Sequence, residues 1–351
     1  MLNVADVKMS HPLLIAPDVA IQSIQDLRRP SLPIMLCPAQ PKKGIMNTIS
    51  FRRLSGLLAL LPCALAHADK DHPLFERVSA YHHIMVYDED DVRTLSFNGS
   101  WETKMSLTNP LSGHFEYTEY FQMPWLWNHQ IKSVLMEGLG GGSTQRAYQH
   151  YYTNAMVDTV EIDPVVVEVA RKYFGVVETP RHHIHTNDGR VFLRQSTNIY
   201  DVILMDAYST TRYGSSLPAQ LTTREFFQLA SDHLGTNGIL AYNVIGQISG
   251  FRQTVIGALY RTLTNVFPHV YMFPAVESQN IVFVATKSRE LFAAARVQRE
   301  AEALIKAGIV TLPTFNQRTN SFWPDPPPSA RTSPLLTDDY APIDRLLQGT
   351  Q

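Results

Sequence analysis

The sequence predicts an α/β fold: a doubly wound, mostly parallel sheet preceded by a small antiparallel β unit. Two observations carry this reading. From Lys132 onward short apolar segments alternate with amphipathic ones (VLMEGLGGG, DTVEIDP, VVVEVARKYFG, HHIHTNDG, YDVILMDAY, TREFFQLASDHLG, GILAYNVIG), which is the texture of repeated βαβ units. Ahead of them, from Ala80 to Leu107, runs of β-branched and aromatic residues are broken by acidic and Asn-Gly turn signals, as in antiparallel hairpins. The 351 residues, 44% hydrophobic and 18% charged, suit one large or two modest globular domains. A formal net charge of −2 and no long run of like charge leave no electrostatic basis for nucleic-acid binding, so the partner should be a small molecule.

Taken in order, Met1 to Ile45 is proline-rich and lacks periodicity, as expected of a non-native upstream extension or a disordered segment. Residues 46–68, MNTISFRRLSGLLALLPCALAHA, carry Arg52-Arg53, a 13-residue apolar stretch from Leu54 to Ala66, and a small-x-small site at Ala66-His67-Ala68. That is the plan of a secretory signal peptide. The stretch is shorter than the roughly 20 residues that cross a bilayer, so no stable membrane span is expected. The protein is periplasmic or secreted if this leader is cleaved, and otherwise cytoplasmic with an amphipathic or buried N-terminal helix. Cleavage after Ala68 would remove both cysteines, Cys37 and Cys63, and with them disulfides and thiol catalysis. A β-rich unit is expected over 75–125, ending in HFEYTEYFQMPWLW as a helix with its aromatics inward. A nucleoside-binding domain should span 130–310, and a proline-rich wrap (FWPDPPPSARTSP) 311–351.

The candidate site lies at the strand ends. Gly138, Gly140 and Gly142 follow the strand SVLME and open a helix, at a turn where a nucleotide must approach the backbone closely. Glu161 ends the next strand, 19 residues after Gly142, where an acid can accept from both ribose hydroxyls. Asp188-Gly189 follows the third strand, placed to reach an adenine amino group, and Asp206 ends the fourth. Each piece alone has a plain structural alternative, such as a tight turn or a helix cap; their joint register points to an adenosine-type ligand. NAD competes, but Gly-Leu-Gly-Gly-Gly lacks the dinucleotide spacing. His182, His183 and His185 invite a metal assignment, but no partner ligands lie nearby in the sequence, so no metal is expected. Trp125 and Trp127 read as packing residues.

These segments resemble the spermidine synthase family, the polyamine aminopropyltransferases. VLMEGLGGGSTQRAY is similar to the family's nucleotide loop, TVEIDPVVVEVARKYF to its ribose strand, NDGRVFL to its adenine strand, and YDVILMDAYST to its catalytic strand. The likeness runs from about Tyr81 to Thr286, and TDDYAPIDRLL is similar to the ending of a divergent bacterial branch. The resemblance implies a Rossmann-like sheet of the class I methyltransferase type. It implies decarboxylated S-adenosylmethionine (or S-adenosylmethionine) as co-substrate with no permanently bound cofactor, and a small-molecule amine as acceptor. A homodimer is the assembly to be expected. Asp206 matches the catalytic aspartate, with Glu102, Tyr117, Glu119 and Tyr208 as amine-pocket residues.

Several positions depart from the family. Gly141 and Ser209 stand where acids are usual, Thr118 replaces a Gln or His, and Glu102 stands in place of a Gln. These changes put putrescine in doubt as acceptor. An S-adenosylmethionine-dependent methyltransferase and a non-catalytic nucleoside-binding homologue are the competing readings. Export adds a conflict, because decarboxylated S-adenosylmethionine is made in the cytoplasm.

Overall fold

The computed structural model describes residues 73–211 and 214–348. The upstream extension, the signal-peptide reading and both cysteines lie outside the described residues. Strands β1 (Phe75–Val78), β2 (His83–Glu89), β3 (Val92–Phe97) and β4 (Ser100–Ser106) form an antiparallel sheet in the order β1-β2-β3-β4. Asn98 and Gly99 both take positive φ, 50° and 86°, giving the primed two-residue turn that matches the twist of paired strands. Residues Glu116–Leu126 then form a helix of the tighter 3-10 type containing Pro124. The aromatics do point inward, but so do Glu116, Thr118 and Gln122, so the segment is buried nearly all round.

Next come β5 (Ser133–Glu137), α1 (Ser143–Tyr151), β6 (Met156–Glu161), α2 (Pro164–Phe174), β7 (His182–Thr186), α3 (Gly189–Gln195) and β8 (Tyr200–Met205). A short hairpin of β9 (Ser209–Thr211) and β10 (Gly214–Ser216) precedes α4 (Arg224–Asp232), β11 (Leu234–Ile245), α5 (Gln253–Leu263), β12 (His269–Pro274) and β13 (Asn280–Thr286). The described chain closes with α6 (Ala294–Lys306), α7 (Phe315–Thr319) and α8 (Ile343–Gln348).

Seven strands form the main sheet in the order β12-β13-β11-β8-β5-β6-β7. β5, β6, β7, β8 and β11 run parallel, while β13 is antiparallel to both its neighbours. Val134, Leu135 and Met136 of β5 are sealed on both faces, as befits a central parallel strand covered by helices on either side. One core joins the sheet to α3, α4 and α5 through Leu193, Phe226 and Ile256. The other joins it to the 3-10 helix, α1 and α6 through Phe121, Tyr148 and Val297. The small sheet packs Ile84, Val86 and Leu95 on Val166 and Val169 of α2. That helix starts on Asp163, whose Oδ1 accepts from Val165 N, with Pro164 at its first turn, and stops at Gly175 with φ 65°, using a cap at each end.

Winding reverses between β5 and β8, and the crevice outside that reversal is where open α/β sheets bind ligands. The C-terminal segment packs along α5. An added Cβ at Gly257 would stand 2.6 Å from Ser329 C, and Arg261 Nη1 donates to Ser333 O over 2.7 Å. On the edge strand β7, His185 pairs with Asp158 at 2.9 Å and His182 Nε2 lies 3.1 Å from the Thr159 hydroxyl. Among the described residues no helix is long and apolar enough to cross a membrane.

Candidate active site

β5 delivers the chain into the glycine loop. Gly138 has φ +99°, and a Cβ there would fall 2.3 Å from the carbonyl oxygen of Asp206; only glycine lets the loop run against the end of β8. Glu161, at the end of β6, accepts from Leu139 N at 3.0 Å and from Asp163 N at 2.9 Å. Its carboxylate thus ties the loop to its own strand. Burial pushes its pKa up, and these backbone donors oppose the rise. From the small sheet Thr103 Oγ1 accepts from Gly141 N at 2.9 Å, fastening the loop from the other side.

At the end of β8, Asp206 receives two hydrogen bonds. Tyr117 OH donates to Oδ2 at 3.2 Å and Asn243 Nδ2 to Oδ1 at 2.9 Å. Burial pushes the Asp206 carboxyl up to about 6 against the lowering effect of both donors. Glu102, on β4, accepts from Ser215 Oγ at 3.3 Å. Burial pushes it up to about 7, opposed by the Ser100 and Ser215 hydroxyls and reinforced by the charge of Asp206. Two carboxyls that titrate near neutrality and feel each other are an arrangement suited to holding a cation and moving a proton. Tyr208 spends its hydroxyl on β11, donating to Asn243 O at 2.9 Å and accepting from Ile245 N at 3.1 Å.

A cavity of about 320 Å³, within the small-molecule range, joins these groups. Asp206, Gly138, Gly140, Glu161, Asp188, Gly189, Glu102, Tyr117 and Tyr208 all line it. Two expected residues do not. Gly142 starts α1 with φ +74° and packs against Val176, so its part is to make the turn. Glu119 is a correction: Arg318 Nε (2.5 Å) and Thr314 Oγ1 (2.8 Å) hold its Oε2, and His114 lies 3.1 Å from Oε1. Burial opposes its ionisation, but these bonds and the Arg318 charge prevail and hold it down at about 2. It faces Thr314 and Arg318 of the C-terminal segment and does not line the cavity. Asp188 caps α3, its Oδ1 accepting from Val191 N at 2.9 Å.

Sequence reasoning missed Asn243, His82, Thr103 and Glu137. Asn243 was detectable as a polar residue inside the apolar strand GILAYNVIG. Glu137 was an acid closing an otherwise apolar strand. His82, stacked on Phe97 with ring centroids 4.4 Å apart, and Thr103 carried no such signal. Both line the cavity.

A profile of the spermine/spermidine synthase domain matches residues 114–295, a span that takes in Tyr117, the glycine loop, Glu161, Asp188 and Asp206. The polyamine aminopropyltransferase of Vibrio vulnificus (strain CMCP6) is 29% identical over 289 residues, 78% of this chain and 91% of that protein. The spermidine synthase from Thermotoga maritima superposes with a TM-score of 0.52 at 21% identity, over 72% of this chain and 89% of that one, which speaks for the fold. An eEF1A lysine and N-terminal methyltransferase of Xenopus laevis is 31% identical over 181 residues, but these make up 50% of this chain and only 26% of that protein. A match over half the chain that encloses the glycine loop and the Asp206 strand end decides the matter: the chain belongs to the spermine/spermidine synthase domain family.

Proposed function

We propose that the protein is an aminopropyltransferase that moves an aminopropyl group from decarboxylated S-adenosylmethionine to an amine, releasing methylthioadenosine. The observation that carries this reading is Asp206, held by Tyr117 and Asn243 on the same cavity that Glu161, the glycine loop and Asp188 line. An aliphatic ammonium, with a pKa of about 10, has no lone pair to attack with. Proximity to the sulfonium cation lowers that pKa, and Asp206 takes one proton. The freed amine then attacks the propyl carbon bound to sulfur. A C–N bond forms, the C–S bond breaks with its electron pair going to sulfur, and the sulfonium becomes the neutral thioether of methylthioadenosine.

The acceptor follows from where the acids stand. The positions of Gly141 and Ser209 offer no carboxylate, whereas Glu102 and Asp206 do, and Phe97, Phe115, Tyr117 and Phe121 line the same cavity. A monocationic or bulkier, partly apolar amine suits this lining better than a short diamine. Purified protein incubated with decarboxylated or ordinary S-adenosylmethionine and a panel of amines, followed by mass spectrometry, tests the reading. Aminopropylated amine plus methylthioadenosine is the expected product, and a methylated product would replace this reading with methyl transfer.

A further inference from the structure

Glu137, the last residue of β5, is 1% exposed, and neither carboxyl oxygen has a hydrogen-bond partner in the protein. Such a group is rare, because burying a carboxyl with nothing to bond is costly. Its place is specific. Oε2 lies against the Asp188–Gly189 turn so closely that a Cβ at residue 189 would stand 2.4 Å from it, and the residue lines the cavity on the side of that turn. Tyr242, on β11, likewise has a buried hydroxyl without a partner, and both residues pair in register with Met205 of β8. Burial pushes the Glu137 carboxyl up to about 8, and the charge of Asp188 adds to the rise, so near neutrality it is an uncharged acid. An uncharged carboxyl offers one O–H donor and one C=O acceptor side by side. That pair complements an aminopurine, whose exocyclic amine donates next to a ring nitrogen that accepts.

We infer that Glu137 is a specificity-determining residue for the nucleoside base, its carboxyl turning from beneath the Asp188–Gly189 turn to bond the amino edge of adenine. The inference rests on the nucleoside reading of this cavity. It assigns the acid a task separate from that of Asp206, and it explains why glycine stands at 189, where any side chain would displace the carboxyl.

The test compares methylthioadenosine with its analogue lacking the exocyclic amino group, measuring both affinities by calorimetry. The protein carries the native residue, Glu137→Gln or Glu137→Met. In the wild type the amino group should improve affinity, and Glu137→Met should reduce that preference by about 10-fold, the scale of one lost buried hydrogen bond. Glu137→Gln, whose amide keeps one donor and one acceptor, should retain most of it. A purely structural role would weaken both ligands alike and leave their ratio unchanged, and an unchanged ratio in Glu137→Met overturns the inference while leaving the proposed function standing. Should the Met variant not fold, infrared difference spectra decide: the carbonyl band of a protonated carboxyl should shift when the wild type binds methylthioadenosine and be missing in Glu137→Gln. No shift overturns the inference. A wild type that binds neither nucleoside overturns it together with the proposed function.

Discussion

The phenol of Tyr117 donates to Asp206 Oδ2 across 3.2 Å, joining the 3-10 helix to the end of β8, residues 89 apart in sequence. This bond lowers the Asp206 pKa, which burial has raised to about 6. Tyr117→Phe therefore moves the carboxyl pKa upward. A base must be ionised to accept a proton, so the acidic limb of kcat should move to higher pH. At pH 7 turnover should fall roughly 10-fold through the lost charge-assisted bond. A pH–rate profile identical to that of the wild type would detach Tyr117 from the chemistry.

Asp206→Asn keeps the shape of the side chain and the bond from Asn243 within reach, but removes the carboxylate that the proposed reaction uses as proton acceptor. Turnover should fall by about 10²–10⁴-fold, the scale of a lost general base, while calorimetry should give methylthioadenosine nearly its wild-type affinity. Equal losses in both quantities would make Asp206 a binding residue.

Glu102 titrates near 7, so amine binding should strengthen as the pH rises through that value. Glu102→Gln should abolish this dependence and weaken amine binding by about 10-fold or more above pH 7. Stability runs the opposite way. A carboxyl whose pKa is raised on folding favours the fold while protonated, and that advantage is lost between the ordinary carboxyl range and about 7. Glu102→Gln should therefore melt higher than the wild type above pH 7, and thermal melts across that range would check it.

Arg318 donates to Glu116 Oε1 at 2.7 Å and to Glu119 Oε2 at 2.5 Å, gripping the 3-10 helix on either side of Tyr117. Its own side chain and that of Glu116 are 8% and 0% exposed. Arg318→Met strands buried carboxylates and should destabilise the protein by about 3–5 kcal/mol. Glu119, held down at about 2, contributes stability that is present above its ordinary range and lost as the pH falls toward 2. The acid-melting limb of the variant should be correspondingly flatter; denaturant melts at pH 3 and pH 7 measure both effects.

What the sequence made legible was local. The Asn98-Gly99 turn, the Asp163-Pro164 helix start and the glycine loop each declare themselves within a few residues, because their cause is backbone conformation. Glu119 was misread because Tyr117 and Glu119 stand close in the same segment. At three residues per turn, two steps are about 240°, so Tyr117 reaches Asp206 while Glu119 points to Arg318. That partner lies 199 residues away, and Asn243 lies 37 residues from Asp206. Neither pairing leaves a trace in spacing, since both are made by the packing of distant elements. Glu137 escaped for a different reason: at a strand end it reads as a boundary, and its burial comes from the Asp188–Gly189 turn packed against its carboxyl.

Gly141 brings the two kinds of information together. Family resemblance implies an acid at this position, so Gly141→Asp looks like a route to restoring diamine recognition. The space says otherwise. A Cβ at 141 would lie 2.6 Å from Thr103 Cγ2 and 2.9 Å from Phe174 Cδ1, inside the contact where Thr103 Oγ1 holds the loop amide. Overpacking of this kind costs about 1–3 kcal/mol, so Gly141→Asp should lower the melting temperature without gaining activity on putrescine. Thr103→Ser removes the offending methyl and keeps the hydroxyl. The double variant should therefore recover part of the lost stability, a coupling that separate sites would not show. Thermal melts of the four proteins measure it. Strict additivity, or a single Gly141→Asp variant as stable as the wild type and active on putrescine, would mean that the loop accepts the acid and that Thr103 does not exclude it.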